Sequence, residues 1–218
     1  DLHKYKESHE DFIRVVDDFL PDDLCDLLIN FFNNNKKFHF NNKTIGDSKR
    51  EKIYFKKYKK RKEYISSRKS IGLNIDKLYN KFPTIKIYKV IYQIIYKAFD
   101  KGLKLYLKNI PEKQNIKTFN DESYFITKYN KKQGFYKWHS DRAFLSNEAN
   151  SRYISAILYL NDVHIGGETE FKYHKKIVKP KKGRLLIFPS DWVYVHRGKT
   201  PISNDKYICN NFFFIILN

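Results

Sequence analysis

The period of the hydrophobic pattern changes near residue 123, and this change constrains the fold of the 218-residue chain more than any other feature. Before it, apolar residues recur at helical spacing. After it, they form short runs rich in β-branched and aromatic residues. Helices followed by many short strands are typical of an α+β protein whose carboxyl-terminal half is a β-sandwich or barrel.

Two long helices are predicted in the first half of the chain. The first follows a short strand within residues 12–19 and begins near Pro21, with Asp22 and Asp23 in its first turn. Its apolar face is formed by Leu24, Leu27, Leu28, Phe31 and Phe32. The second helix covers about residues 84–108. Its apolar stripe is formed by Ile87, Ile91, Ile94, Ile95 and Ala98.

The second half of the chain contains the predicted strands. Six runs have β-type composition, at residues 124–129, 153–160, 168–171, 184–188, 193–196 and 207–217. Residues that favour turns separate them, among them Gly166-Gly167 and Pro189-Ser190-Asp191. The length of the chain suits one domain with one core.

Composition excludes several classes of protein. With 41% hydrophobic and 17% aromatic residues, the chain is not typical of a disordered protein. It has no apolar run long enough for a transmembrane helix, so no membrane partner is expected. Two cysteines, Cys25 and Cys209, do not form a disulfide framework. Because no signal peptide is recognisable either, we expect the cytoplasm as the compartment.

The net charge of +19 is unevenly distributed. Residues 43–70 contain twelve basic and three acidic residues, interleaved with aromatic residues. Such a segment can bind nucleic acid through phosphate contacts and base stacking. It can also be a solvated loop or a hairpin whose aromatic residues face the core, which we favour. A lysine-rich composition can, in addition, serve solubility alone.

One short motif suggests a metal site. The triplet H-x-D occurs twice, at His9 and at His139-Ser140-Asp141. His9 lies in a polar stretch, whereas His139 ends a β-rich run, so His139 and Asp141 point to the same face at strand spacing. Together they provide two ligands of the two-histidine, one-carboxylate set that leaves positions open on iron(II).

A third ligand has to come from another strand. His196 is the best candidate, because it ends the apolar run at residues 192–195. His164 and His174 lie in more polar sequence and are more typical of surface histidines.

From Tyr124 to about Phe212 the chain resembles the prolyl 4-hydroxylase-like branch of the iron(II)/2-oxoglutarate-dependent dioxygenases. The matching pieces occur in order, and they include H-x-D at residue 139, the strand that ends in YLND at residue 162, GGETEF at 166–171, HRG at 196–198 and Lys206 ten residues after His196. The resemblance implies a double-stranded β-helix, or jelly-roll, core with supporting amino-terminal helices.

The resemblance also implies roles for individual residues. His139, Asp141 and His196 would bind iron(II), and Lys206 would pair with the distal carboxylate of 2-oxoglutarate. Tyr129 and Tyr159 match positions that hydrogen-bond 2-oxoglutarate in the family. The implied reaction uses O₂, with ascorbate as a candidate reductant, and converts 2-oxoglutarate to succinate and CO₂ while a C–H bond is hydroxylated.

We therefore predict a single dioxygenase domain over residues 1–218. Residues 1–115 would form the helical support and a basic insertion, and residues 116–218 the jelly-roll core with the metal site. The expected substrate is a residue of a peptide or protein, proline first. Three alternatives are the same chemistry on nucleic acid, the same chemistry on a free amino acid, and a non-catalytic basic binding module. The oligomeric state is not predicted.

Overall fold

The computed structural model describes residues 12–43, 67–108, 119–142 and 152–215. It contains three α-helices within these ranges: α1 (Asp22–Asn34), α2 (Ile75–Lys81) and α3 (Lys86–Leu107). The first six strands are β1 (Arg14–Val16), β2 (Phe40–Lys43), β3 (Arg68–Asn74), β4 (Phe119–Asp121), β5 (Phe125–Tyr129) and β6 (Phe135–His139). The others are β7 (Arg152–Tyr159), β8 (Thr169–Phe171), β9 (Ile177–Val178), β10 (Leu185–Pro189), β11 (His196–Gly198) and β12 (Lys206–Ile215).

These strands form one antiparallel sheet that curls into a nearly closed barrel. Along the sheet the order is β1-β10-β7-β12-β5-β3-β6-β11-β8-β9, with β2 added to β3 and β4 added to β12. Most neighbouring strands in this order are not consecutive in the chain, as the antiparallel pairing of β10 with β7 and of β12 with β7 illustrates. This architecture confirms the predicted α+β class and the jelly-roll core.

Alternation along the strands separates the two sides of the sheet. On β7, Ile154, Ala156 and Leu158 face the helices, and they belong to a buried cluster that includes Ile91, Ile95 and Phe99 of α3. The intervening positions face the barrel interior, where Tyr159 packs in a second cluster with Tyr129, Phe171, Phe188 and Ile208. The helices therefore cover one face of the sheet, and the other face is left for the barrel interior.

The two long helices confirm the predicted apolar stripes in most positions. The α1 helix begins at Asp22 after Pro21, and it buries Cys25, Leu28, Phe31 and Phe32. In α3 the buried residues are Ile91, Ile95, Ala98, Phe99, Gly102 and Tyr106. Ile87, which was expected in the stripe, is 42% exposed and does not belong to the buried cluster.

Several local predictions need correction. The run at residues 193–196 is not a strand: Trp192–Tyr194 is a single 3₁₀ turn, and the strand β11 begins at His196. The side chain of Asp191 accepts a hydrogen bond from the Trp192 backbone at 2.8 Å and so starts this turn. Within the turn only Tyr194 is buried, while Trp192 and Val193 are exposed, so the β-type composition of the run does not correspond to a strand.

The amino-terminal half is not only helical support. It contributes β1, β2 and β3 to the sheet, and β3 lies in the middle of it, between β5 and β6. The basic segment predicted at 43–70 lies mostly outside the described residues, which exclude 44–66, and its last residues begin β3. The division of the chain near residue 115 stays a prediction.

Even the longest described helix, α3, is too polar to cross a lipid bilayer, and the shorter ones do not have the required length. Both cysteines, Cys25 and Cys209, are buried free thiols.

Candidate metal centre

Three predicted ligands converge at one end of the barrel. His139 is the last residue of β6 and His196 the first of β11, and the two lie directly opposite each other in the antiparallel pair. Asp141 follows β6, and its two carboxylate oxygens lie 3.3 Å from His139 Nε2 and 3.6 Å from His196 Nε2. One ligand atom from each of the three residues lies within 4.8 Å of the others. Strand pairing thus brings together residues that are 57 positions apart in the chain.

Backbone carbonyls orient both histidine rings. The carbonyl oxygen of Lys137 lies 2.8 Å from His139 Nδ1, and that of Tyr194 lies 3.0 Å from His196 Nδ1. Because a carbonyl oxygen only accepts hydrogen bonds, Nδ1 carries the hydrogen in each neutral ring, and Nε2 presents its lone pair. This arrangement is the usual outer support of a metal-binding histidine.

A buried hydroxyl relay holds the carboxylate. Ser155 donates a hydrogen bond of 2.7 Å to Asp141 Oδ2, and its Oγ also lies 2.7 Å from Ser190 Oγ. Both serines are 1% exposed, and Asp141 is 9% exposed. Burial by itself opposes ionisation of Asp141, but His196, His139 and Ser155 outweigh it and hold the pKa of the carboxyl below its ordinary value. The ligand is therefore an anionic carboxylate with a fixed orientation.

The donor set suits iron(II). Burial, together with nearby His139, lowers the pKa of His196 to about 4, so its ring is neutral at pH 7. Two imidazoles and one carboxylate on one side of an ion form the facial triad of non-haem iron(II) oxygenases. Within the described residues this is the one group of three or more such side chains that is close enough to hold an ion.

Aromatic side chains surround the two imidazoles. The ring of Tyr136 stacks on that of His139, with 3.4 Å between centroids and 15° between planes. Phe188 contacts His196 edge-on, with centroids 4.9 Å apart, and Phe171 lies 5.6 Å from the same ring. These rings restrict imidazole motion and limit access of water to the centre.

Lys206 is a buried cation in the same barrel interior. It opens β12 opposite Tyr129 of β5, is 3% exposed, and donates a 2.7 Å hydrogen bond to the carbonyl of Gly167. Its Nζ lies 5.5 Å from the ring centroid of Tyr129 and 5.3 Å from that of Tyr159. Burial lowers the pKa of Lys206 to about 7, although Glu168 partly opposes this.

The surroundings of Lys206 fit an anionic co-substrate. No salt bridge to Lys206 occurs among the residues that the structure describes, and a buried ammonium without a carboxylate partner is costly. The carboxylate of a bound acid would supply that partner. Tyr159 is fully buried and donates a 2.7 Å hydrogen bond to Thr169 Oγ1, so its phenol is fixed beside the lysine. The charge of Lys206 also reaches His196, whose pKa it helps to lower.

A small cavity leads to the metal centre. It measures about 50 Å³ and is bounded by the triad together with Tyr136, Arg68, Asn210 and Phe212, among others. The guanidinium of Arg68 lies 4.7 Å from the ring centroid of Tyr136 and donates a 2.9 Å hydrogen bond to Ser70.

Some residues near the centre were not predicted from the sequence. Ser155 lies on the same face of β7 as Tyr159, so strand alternation could have identified it. Arg68 had no sequence signal, since it reaches the site only through the pairing of β3 with β6.

The other two candidate histidines lie apart from the triad. His174 stacks on Tyr194, and His164 is exposed. Arg197 contacts Glu170 and the ring of Trp138.

Comparisons with known proteins agree with this geometry. Residues 124–214 match the model of the 2OG-Fe(II) oxygenase superfamily. A search of curated protein sequences found no match. Members of the matched family depend on iron(II), 2-oxoglutarate and O₂, and the His139-Asp141-His196 group is compatible with that requirement.

Solved structures share the fold at low sequence identity. A viral collagen prolyl hydroxylase from Paramecium bursaria Chlorella virus-1, in complex with 2OG, aligns with a TM-score of 0.63 and 22% identity over 94% of this chain and 97% of that chain. A Pseudomonas putida prolyl-4-hydroxylase aligns with a TM-score of 0.58 and 20% identity, over 94% of this chain and 93% of that chain. A Trichoplax adhaerens prolyl hydroxylase, in complex with a hypoxia inducible factor peptide, aligns with a TM-score of 0.64 and 17% identity. The alignment covers 94% of this chain and 84% of that chain.

The family match, the fold and the convergent triad lead to one conclusion. Residues 124–214 match the 2OG-Fe(II) oxygenase superfamily and hold its iron(II)-binding pattern of side chains, so the chain is an iron(II)- and 2-oxoglutarate-dependent dioxygenase with the fold of the prolyl hydroxylases.

Proposed function

We propose that this dioxygenase hydroxylates a residue within a peptide or protein, with proline as the first candidate. The observation that carries the proposal is the convergence of two imidazoles and one carboxylate within 4.8 Å, in the same barrel interior as a buried lysine. The choice of a peptidyl substrate is supported by the solved structures of similar fold, whose names give collagen, proline and a hypoxia inducible factor peptide.

In this proposal His139, Asp141 and His196 hold iron(II). Each imidazole offers Nε2, because its Nδ1 is engaged by a backbone carbonyl. Asp141 offers one oxygen, because Ser155 donates to the other. Bound iron(II), together with 2-oxoglutarate and O₂, supplies an oxidation that yields succinate and CO₂ and places one oxygen atom in a C–H bond of the substrate.

Lys206 pairs with the distal carboxylate of 2-oxoglutarate in this proposal. A lysine can meet this carboxylate as a compact charge on a long stem. Tyr129 and Tyr159 flank the ammonium and restrict where the acid can lie. The Tyr159 hydroxyl donates its one hydrogen to Thr169 Oγ1, so it would have to turn away from Thr169 to donate to a carboxylate oxygen.

The substrate residue enters through the cavity that adjoins the triad. Tyr136 and Phe212 provide apolar walls there, and Arg68 and Asn210 provide polar groups. A cavity of about 50 Å³ fits one small side chain at a time. The backbone on either side of that residue therefore lies across the mouth of the barrel.

The test uses the full chain with iron(II), 2-oxoglutarate and ascorbate, and a peptide library that includes proline-rich sequences. We expect succinate to form in step with a peptide product heavier by one oxygen atom. His139→Ala and Asp141→Ala should abolish both signals, whereas His164→Ala, a histidine outside the triad, should retain them. Turnover that survives loss of His139 or Asp141 would refute the assignment of the metal ligands.

A peptide or protein partner in the cytoplasm is part of the same proposal. The buried free thiols Cys25 and Cys209 support a reducing compartment. A nucleic-acid partner at residues 43–70 stays a prediction, since residues 44–66 lie outside the described part of the chain.

A further inference from the structure

Asn161 belongs to the YLND motif of the sequence, and neither the metal triad nor the co-substrate contacts described above use it. It lies two residues after β7 ends at Tyr159. The pairing of β7 with β12 reaches Tyr159 and Ile208, and the Leu160 backbone N–H still donates a 3.0 Å hydrogen bond to the Tyr207 carbonyl. Beyond this point a side chain continues the ladder.

The side-chain amide of Asn161 binds the backbone on both sides of Lys206. Its Oδ1 accepts a 2.7 Å hydrogen bond from the Tyr207 N–H, and its Nδ2 donates a 2.9 Å hydrogen bond to the Asp205 carbonyl. In an antiparallel sheet, a carbonyl and an N–H of the neighbouring strand would fill these two places. An asparagine amide offers the same acceptor and donor as a peptide unit. It therefore extends the ladder to the residues that flank Lys206.

The same segment of β12 is also held from the side of β5. Lys206 pairs with Tyr129, the last residue of β5. The carboxylate of Asp205 accepts a 2.7 Å hydrogen bond from the Lys131 backbone N–H, and its other oxygen lies 2.8 Å from Lys128 Nζ. The backbone at Lys206 is therefore fixed from both neighbouring strands.

The ammonium end of Lys206 is fixed as well. Its Nζ donates a 2.7 Å hydrogen bond to the Gly167 carbonyl, and the Gly167 N–H donates a 3.1 Å hydrogen bond to the Thr200 carbonyl. A lysine has a flexible stem that could otherwise reach several positions. Because the backbone and the ammonium are both held, the distance from the ammonium to the metal triad is set. A dicarboxylic acid that bridges the two must then have a matching length.

A second amide supports this arrangement from one side. Asn204 Nδ2 donates to the carbonyls of Asp162 and Asp205, at 2.8 and 3.1 Å, and Asn161 Nδ2 donates to the same Asp162 carbonyl at 2.9 Å. The hydrogen bond to the Tyr207 N–H belongs to Asn161. Asn161 therefore holds the backbone before and after the buried lysine, whereas Asn204 holds it only before.

We propose that Asn161 is a positioning residue for Lys206, and that through this lysine it makes the enzyme select acids with the chain length of 2-oxoglutarate. The inference rests on the proposed function, because it takes Lys206 as the partner of the distal carboxylate. Without the amide, the backbone loses a hydrogen bond on each side of Lys206, and the ammonium can occupy more positions. The acid of matching length loses the most affinity, because its binding depends on meeting both ends at once.

The test measures the Kd of 2-oxoglutarate, of the 2-oxo diacid one carbon shorter and of the one that is one carbon longer. Calorimetry uses the full chain loaded with manganese(II), without peptide. In Asn161→Ala we expect the Kd of 2-oxoglutarate to rise roughly tenfold and its preference over the other two acids to decrease, with manganese(II) affinity unchanged. Asn161→Asp keeps the size of the side chain and should act in the same direction, because a carboxylate oxygen replaces the donor to the Asp205 carbonyl.

Asn35→Ala is the matched control. This asparagine follows α1, and its amide also donates and accepts, to the Phe31 carbonyl at 2.8 Å and from the Tyr88 hydroxyl at 3.1 Å. Its substitution removes the same kinds of hydrogen bond among the helices, so it should lower stability but leave the binding and the selectivity of the three acids unchanged.

The outcomes distinguish the role of Asn161 from the proposed reaction. Wild-type affinity and selectivity in both Asn161 variants, with binding lost in Lys206→Met, would overturn the positioning role alone. Equal losses for all three acids would overturn the selection by length. If Asn161→Ala loses affinity selectively but no peptide is hydroxylated, the positioning role stands and the peptidyl substrate fails. Unchanged binding of 2-oxoglutarate in Lys206→Met would overturn the positioning role together with the assignment of Lys206.

Discussion

Substitution of Lys206 by methionine should stabilise the ligand-free protein and remove its response to 2-oxoglutarate. Burial lowers the pKa of this lysine from 10.5 to about 7. At 1.36 kcal/mol for each pKa unit, this shift lowers the free energy of unfolding of the wild type by roughly 5 kcal/mol below pH 7. Loss of the hydrogen bond to the Gly167 carbonyl costs roughly 1–3 kcal/mol in the variant. We therefore expect a net gain of about 2–4 kcal/mol for Lys206→Met.

The gain should depend on pH in a defined direction. The unfolded chain binds more protons than the folded chain between pH 7 and 10.5, because the folded pKa is the lower one. The penalty on the wild type is complete below about pH 7, decreases as the pH rises through this window, and is absent above 10.5. The difference in stability between Lys206→Met and the wild type should decrease accordingly between pH 7 and pH 10.

Urea and thermal unfolding without 2-oxoglutarate provide the assay. A gain of this size raises the melting temperature of a domain of this length by about 5–15 °C. With a redox-inert divalent metal and 2-oxoglutarate at about 100 times its Kd, the wild type should gain about 2.7 kcal/mol and the variant almost nothing. Lys97→Met, at an exposed position of α3, controls for loss of a lysine. A less stable Lys206→Met that keeps the full response to 2-oxoglutarate would refute the reasoning.

Two further substitutions test the support of the site and of the fold. Ser155→Ala removes the hydroxyl that holds Asp141 Oδ2 at 2.7 Å, so manganese(II) affinity, measured by calorimetry, should fall about 10–100-fold and recover in Ser155→Thr. Unchanged affinity in the alanine variant would contradict the role of the relay. Gly183 has φ +73°, and a Cβ there would lie 2.4 Å from the Leu20 carbonyl oxygen, so Gly183→Ala should lower the free energy of unfolding by about 1–3 kcal/mol. Gly198→Ala, whose Cβ would meet nothing closer than 3.7 Å, should cost much less, and equal losses would argue against strain at Gly183.

Local pattern in the sequence predicted much of the secondary structure and the three candidate metal ligands. Helical spacing located α1 and α3 because an amphipathic helix buries one face whatever it packs against. The H-x-D triplet predicted that His139 and Asp141 lie together, although β6 ends at His139 and Asp141 follows the strand. The apolar run at 192–195 made His196 the candidate third ligand, and family resemblance added Lys206 and the jelly-roll core, which no local period defines.

Strand pairing is what sequence patterns did not predict. The central position of β3 depends on which strands pair, and the free energy of pairing comes from residues far apart in the chain. The same holds for Arg68, which reaches the cavity only because β3 pairs with β6.

The sequence by itself therefore determined the class of the fold, the helices and the chemical identity of the ligands. The tertiary structure decided what surrounds them: the Ser155–Ser190 relay, the burial of Lys206, and the cavity beside the triad. The physical reason is that ligand chemistry is a property of single side chains. Orientation, burial and concave surface arise only when distant strands close into a barrel.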